Sequence, residues 1–175
     1  MKWKTVLLAV AASSAIAGAA FGWGAAGHRM IGEVAIMTLP DSMPAFLRTP
    51  VAVADVGEYS REPDRWRGAG KVTDNDRTPA HFIDLDDEGK TLAGQTLDQL
   101  PATRSEYDAG LRAKNIDPYT AGYLPYALVD SYQQLSKDFA TWRILSYLST
   151  KETDAKRKAW YIADAHRREE LIKRD

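Results

Sequence analysis

Residues 123–148 read YLPYALVDSYQQLSKDFATWRILSYL. Leu124, Leu128, Tyr132, Leu135, Phe139, Trp142, Leu145 and Leu148 recur at steps of three and four, the spacing that aligns side chains on one helical face. Pro125 fits only in the first turn of such a helix, where its missing N–H costs no hydrogen bond. A helix of this length with an apolar stripe needs a partner, and the neighbouring sequence offers further helices, so the reading is an all-α domain. On the C-terminal side, 153–173 is heavily charged, with Trp160, Ala163, Arg167 and Leu171 on one side and Arg168 and Ile172 around it. No Gly or Pro stops this helix before Asp175, and the domain is expected to be truncated there. An apolar face left open on 123–148 would then invite aggregation.

Toward the N-terminus a helix is expected at 103–114. Residues 63–100 are rich in Gly, Asp, Asn and Pro without a sustained period, which predicts a long irregular stretch with a short extended piece at 81–85. Helices are expected at 51–60, at about 44–47 behind Pro44, and at 26–39. In the last of these, Met30, Ile31, Val34, Ala35 and Met37 take helical spacing before Pro40 breaks it.

The 175 residues hold one domain, with 23 Lys and Arg against 24 Asp and Glu and a net charge of −1. That balance argues against holding nucleic acid by bulk positive charge. With 45% hydrophobic residues the chain can build a core. The absence of cysteine excludes a disulfide scaffold, a thiolate zinc site and a cysteine nucleophile. Any imidazole chemistry is confined to His28, His81 and His166.

Residues 1–22 carry Lys2 and Lys4, an apolar run over 6–20, and small residues Ala20 and Gly22 before Trp23. This describes a signal peptide cleaved before Trp23, which predicts a secreted or periplasmic protein without stable membrane insertion after cleavage. An uncleaved anchor is the rival reading. Removal of the segment takes the net charge from −1 to −3, since two lysines leave with it. The new terminus then begins Trp23-Gly24-Ala25-Ala26-Gly27-His28. An α-amine with an unperturbed pKa near 7.7–8.0 loses its proton readily. With its own carbonyl oxygen it makes a five-membered chelate, to which His28 can add an imidazole. A histidine at a helix start is otherwise most often a surface or structural residue.

Trp at the mature N-terminus followed by Gly-x-x-Gly-His resembles the S1/P1 nucleases, relatives of the zinc-dependent phospholipases C. The resemblance implies that Trp23 and His28 bind one zinc of a three-zinc cluster. It continues at Asp64, which has Arg67 three residues on, and at His81-Phe82-Ile83-Asp84. By that match Asp64 and His81 would bind a second zinc, with Asp55 the competing carboxylate and Asp84 orienting a neighbouring imidazole. Oxygen and imidazole ligands suit catalytic zinc. The family's later His-x-x-x-Asp motifs are not found in this chain. The nearest imitation, around Asp164 and His166, has Trp160 where a histidine should stand, so Asp164 and His166 are expected on the surface of a charged helix.

The fold implied is a mainly helical phospholipase C/P1 nuclease-like domain, of which 23–175 is the N-terminal part. The activity implied is zinc-dependent hydrolysis of phosphodiesters by a monomer. The substrate would be single-stranded nucleic acid or a nucleotide 3′-phosphate, with phospholipid the runner-up. The 175-residue chain alone is expected to be inactive. Tyr59, Trp66 and Phe82 lie near the candidate ligands in sequence and could stack a base, although core packing is the commoner use of any one of them. The alternative from another class is a non-catalytic secreted helical protein with a relic metal half-site.

Overall fold

A computed structural model describes residues 24–65, 72 and 77–175, and of residues 63 and 64 the main chain only. The expected leader at 1–22, its junction with Trp23, and Trp66 and Arg67 lie outside the described residues. Helix makes up 70% of the structure, and no sheet forms among the described residues. The helices are α1 (Ala25–Met37), α2 (Pro50–Tyr59), α3 (Glu62–Arg65), α4 (Arg104–Ala113), α5 (Pro118–Ala121), α6 (Leu124–Lys151) and α7 (Ala155–Arg174). Short 3-10 turns stand at Ala45–Arg48, Pro79–His81 and Leu97–Gln99. No described helix is long and apolar enough to cross a membrane.

Local chemistry sets most boundaries. Thr49 caps α2 by accepting the Ala52 N–H at 3.1 Å, with Pro50 in the first turn. Thr103 and Glu106 form a reciprocal capping box on α4. That helix ends at Asn115, whose φ of 59° is the left-handed stop. Asp154 caps α7 by accepting the Arg157 N–H at 2.8 Å. Pro125 sits in the first turn of α6, as the sequence requires.

Two packing units result. In one, α6 and α7 lie against each other across a tight connection, and α2 touches α7 while packing on α1. In the other, Tyr107 and Leu111 of α4, Ala121, Tyr123 and Ala93 form a buried cluster backed by Ile83, Leu100, Ile116 and Tyr126. Part of the irregular stretch therefore builds core. Its expected extended piece is present as bridges pairing Ile83 with Gly122 and Leu85 with Thr91. Within the same expected loop, α3 forms a helical turn that the periodicity did not indicate.

Three apolar stripes face differently from expectation. Met30, Ile31, Val34 and Met37 of α1 are exposed. The helix instead buries Gly32, where an added Cβ would lie 2.8 Å from Ser60 Oγ and from the Val56 carbonyl oxygen. Small residues let the α1 and α2 backbones approach, and that choice turns the large side chains outward. On α6, Leu145 is buried but Leu128 and Tyr132 are 60% and 71% exposed, while Asp138 is fully buried. On α7, Trp160 and Leu171 are exposed and Ala165 and Ile172 are buried. The inward face of both long helices is selected by one pair: Arg168 Nη1 donates to Asp138 Oδ1 at 2.6 Å. A buried carboxylate has to face its cation, whatever that does to the apolar stripe.

Candidate metal centre

His28 lies in the first turn of α1, where the Gly27 and His28 N–H groups both reach the Gly24 carbonyl, at 2.8 and 3.2 Å. Its side chain is half-buried. Its own carbonyl accepts a hydrogen bond from Ser60 Oγ at 2.6 Å, so the end of α2 fixes the height of this turn. Trp23, the candidate partner, lies outside the described residues. Asp64 sits within α3, and its side chain likewise lies outside them.

His81 ends the Pro79–His81 turn, with Nδ1 3.5 Å from the Arg77 carbonyl oxygen and its ring edge-on to Phe82 at 5.5 Å. This segment is pinned to the start of α6 by main-chain bonds: Tyr123 N to Pro79 O at 2.8 Å, Leu124 N to Phe82 O at 3.0 Å, and Asp84 N to Ala121 O at 3.0 Å. Gly122 makes the pinning possible. Its φ is +72°, and a Cβ there would stand 2.3 Å from the Phe82 carbonyl oxygen. Asp84 is exposed, and its main chain is what the fold uses. Phe82 and Tyr59 are half-buried.

A groove of about 520 Å³ joins His81 to Glu62 of α3, with Arg77, Ser131, Arg174 and Asp175 also on its walls. The structure thus brings His81 beside the helical turn that carries Asp64; His28 is not among the groove's lining residues. A second groove, between residues 42–44 and α6, is walled by Phe139, Trp142 and Arg143 and contains neither histidine nor carboxylate.

No three His, Asp or Glu side chains gather as a metal site among the described residues. Of the expected ligands, the described side chains are the His28 and His81 imidazoles, and of these His81 lines the groove. A zinc at either imidazole would draw on donors beyond them, and those the resemblance names are the Trp23 amine and carbonyl and the Asp64 carboxylate. Asp55, the competing carboxylate, is committed elsewhere: Lys173 Nζ lies 2.6 Å from its Oδ2 and 2.8 Å from Glu170. Asp164 pairs with Arg167 at 2.6 Å and His166 with Glu169 at 2.9 Å. The His166 side chain is 71% exposed, in line with its expected place on a charged surface.

Two groups escaped the sequence reading. Glu58 gathers Arg29 at 2.8 Å, Arg61 at 2.8 Å and Arg65. Hydrogen bonds from Arg29 and Arg61 hold its carboxyl below the usual range. The signal was present in the spacing, since Glu58, Arg61, Glu62 and Arg65 fall on one helical side. The second is Asp138. Burial alone would push its carboxyl up, but Gln134 at 2.8 Å and Arg168 at 2.6 Å hold it down. Asp175 beside it is pushed up by burial and by the Asp138 carboxylate.

The chain matches no family model, no curated protein and no solved structure.

Proposed function

We propose that the protein is a secreted zinc-dependent phosphodiester hydrolase of the S1/P1 nuclease type, acting on single-stranded nucleic acid or on nucleotide 3′-phosphates. The observation that carries this reading is the order of Trp23 and His28, behind a stretch with signal-peptide character, followed by Asp64 and His81. On this reading the helices are the N-terminal part of a phospholipase C/P1 nuclease-like domain. Trp23 and His28 hold one zinc, and Asp64 and His81 contribute to a second.

Zinc, when bound, supplies Lewis acidity that activates water and neutralises phosphate oxygens, which an acidic chain needs for an anionic substrate. The chain's own contribution is placement. Ser60 fixes the turn that carries His28, and the Gly122 junction fixes the segment that carries His81. Holding ligands on anchored main chain keeps their geometry constant while substrate comes and goes.

The test is hydrolysis of single-stranded DNA, RNA and 3′-nucleotides by the protein recovered from its host's secreted or envelope fraction. Activity is expected to vanish after exhaustive chelation and to return with zinc. Hydrolysis that survives chelation would sink the metal mechanism. No hydrolysis of any phosphodiester at any zinc concentration would favour the non-catalytic reading with a relic half-site. Turnover confined to phospholipid would move the substrate to the phospholipase branch.

A further inference from the structure

The groove between residues 42–44 and α6 has a volume of about 580 Å³, a size that suits a small molecule. One wall comes from α6, where Ser136, Phe139 and Arg143 follow at steps of three and four and so share a face. Met43 and Pro44 form the other. That second wall is held in place from both ends. The Met43 N–H donates to the Pro40 carbonyl at 2.9 Å, and Leu47, in the turn that follows, is buried.

Trp142, also on the α6 wall, is fixed by two contacts. Its Nε1 donates to Glu169 Oε1 of α7 at 3.0 Å, and its ring lies 5.2 Å from that of Phe46 at an interplanar angle of 58°. The indole N–H is the only polar group of a tryptophan side chain. With that group already engaged, Trp142 offers the groove carbon surface alone. Phe139 and Pro44 offer the same, and the Met43 thioether is a soft neighbour for a ring. Such walls favour a flat aromatic body, which gains ring contacts in addition to burial.

Arg143 adds one charge to this apolar surface. It is exposed and makes no ion pair among the described residues. Carboxylates on the adjoining segments are committed elsewhere: Asp138 to Arg168 at 2.6 Å, Glu169 to Trp142 and to His166 at 2.9 Å, and Asp41 to Arg48 at 3.0 Å. An unmatched guanidinium selects an anion, and its planar fork fits the two oxygens of a carboxylate. The lining has no histidine or carboxylate to activate the Ser42 or Ser136 hydroxyl, so the arrangement suits binding and not covalent chemistry.

We propose that this groove binds an aryl carboxylate, with the ring between Phe139, Trp142 and the 43–44 wall and the carboxylate on Arg143. The site is independent of the zinc reading, since it shares no residue with the candidate ligands.

The experiment is calorimetric titration of the intact protein with 2-naphthoate, set against 2-naphthamide, a neutral match of the same shape. The parent is expected to bind one naphthoate per chain, at least tenfold tighter than naphthamide. Arg143→Gln, at an exposed position, should weaken naphthoate at least tenfold and leave naphthamide within threefold. Ser136→Glu sets a carboxylate two turns before Arg143 on the same wall, and should also weaken naphthoate at least tenfold. It decides should Arg143→Gln fail to fold. Arg112→Gln, which removes an exposed cation from α4 outside the groove, should leave both ligands unchanged. A parent that shows no saturable naphthoate binding, or that binds naphthamide within threefold of naphthoate, overturns the proposal. So does naphthoate affinity within threefold of the parent in Arg143→Gln, or in Ser136→Glu where that variant decides. A loss in Arg112→Gln equal to that in Arg143→Gln overturns it as well, since it marks bulk charge and not a site. Decanoate binding as tight as that of 2-naphthoate overturns the assignment of an aromatic body.

Discussion

Around Tyr107 and between α6 and α7 the chain buries its side chains by different means. The Tyr107 cluster is apolar and closed. Tyr107 is 1% and Leu111 0% exposed, and the Tyr107 hydroxyl, carried inward, donates to the Gly122 carbonyl at 3.1 Å. Burial pushes that phenol up to about 12, so it stays a neutral donor throughout the physiological range. The α6–α7 contact is centred on a charge. Asp138 is as thoroughly buried as Leu111, and Gln134 and Arg168 satisfy it. The shorter elements thus make the drier core, and the longest helices meet over a polar pair. Helix length and core quality are separate properties, and only the first follows from periodicity.

The comparison breaks most readily at Gly122. A Cβ there would collide with the Phe82 carbonyl, and the positive φ adds strain for any other residue. Gly122→Ala is expected to cost at least about 3 kcal/mol of unfolding free energy, measured by urea denaturation. Because the same junction holds His81, zinc uptake should fall with it. A variant as stable as the parent would show that the junction between 79–84 and 121–124 is not what closes the Tyr107 core.

The contrast also marks what could be read from residues alone. Five of the seven described helices were expected to within about three residues on their prolines and spacing; the Thr103–Glu106 capping box of α4 is a boundary signal that the reading did not use. The side that each helix buries was not legible. For α1 the contact is made by Gly32 against Ser60, and a glycine gives no hydrophobic signal. For α6 and α7 it is made by Asp138 and Arg168, thirty residues apart and silent in any apolar pattern. The candidate site divides in the same way. His28 and His81 could be singled out by type and spacing, and both stand half-buried on anchored main chain. The anchors are Ser60 and Gly122. They are small residues that meet distant main chain, which no local period reveals.

The second way to sharpen the comparison is to remove the charge from the polar contact. Asp138→Asn is expected to cost about 2–3 kcal/mol near neutral pH, since Arg168 loses its counter-charge but keeps partial access to water. The pH dependence distinguishes this from a packing defect. A carboxyl held below its ordinary value by the fold stabilises the native state while ionised. That stability is present above the unfolded pKa near 3.9 and lost as pH falls through the depressed value. Asp175, pushed up by burial and by the Asp138 charge, contributes the opposite slope, losing stability as pH rises above about 4. In Asp138→Asn the acid-side slope should flatten, and the Asp175 contribution should shrink because the neighbouring charge is gone. Parallel stability curves for parent and variant between pH 2 and 7 would show that the pair does not titrate with folding.

The smallest effect on folding is expected where the sequence pattern is most regular. Leu128 and Tyr132 lie on the stripe that identified α6, yet both point into solvent together with Val129. Leu128→Ser and Tyr132→Ser should each change the unfolding free energy by no more than about 0.5 kcal/mol, because exposed side chains leave no cavity behind. Their effect should appear in self-association. A contiguous apolar face on a helix surface promotes contact between molecules, so the double variant is expected to stay monodisperse at concentrations where the parent aggregates, read by light scattering. A cost of 2 kcal/mol or more for either substitution would mean that the stripe is covered in the native protein. The polar α6–α7 contact would then be only one side of a larger core.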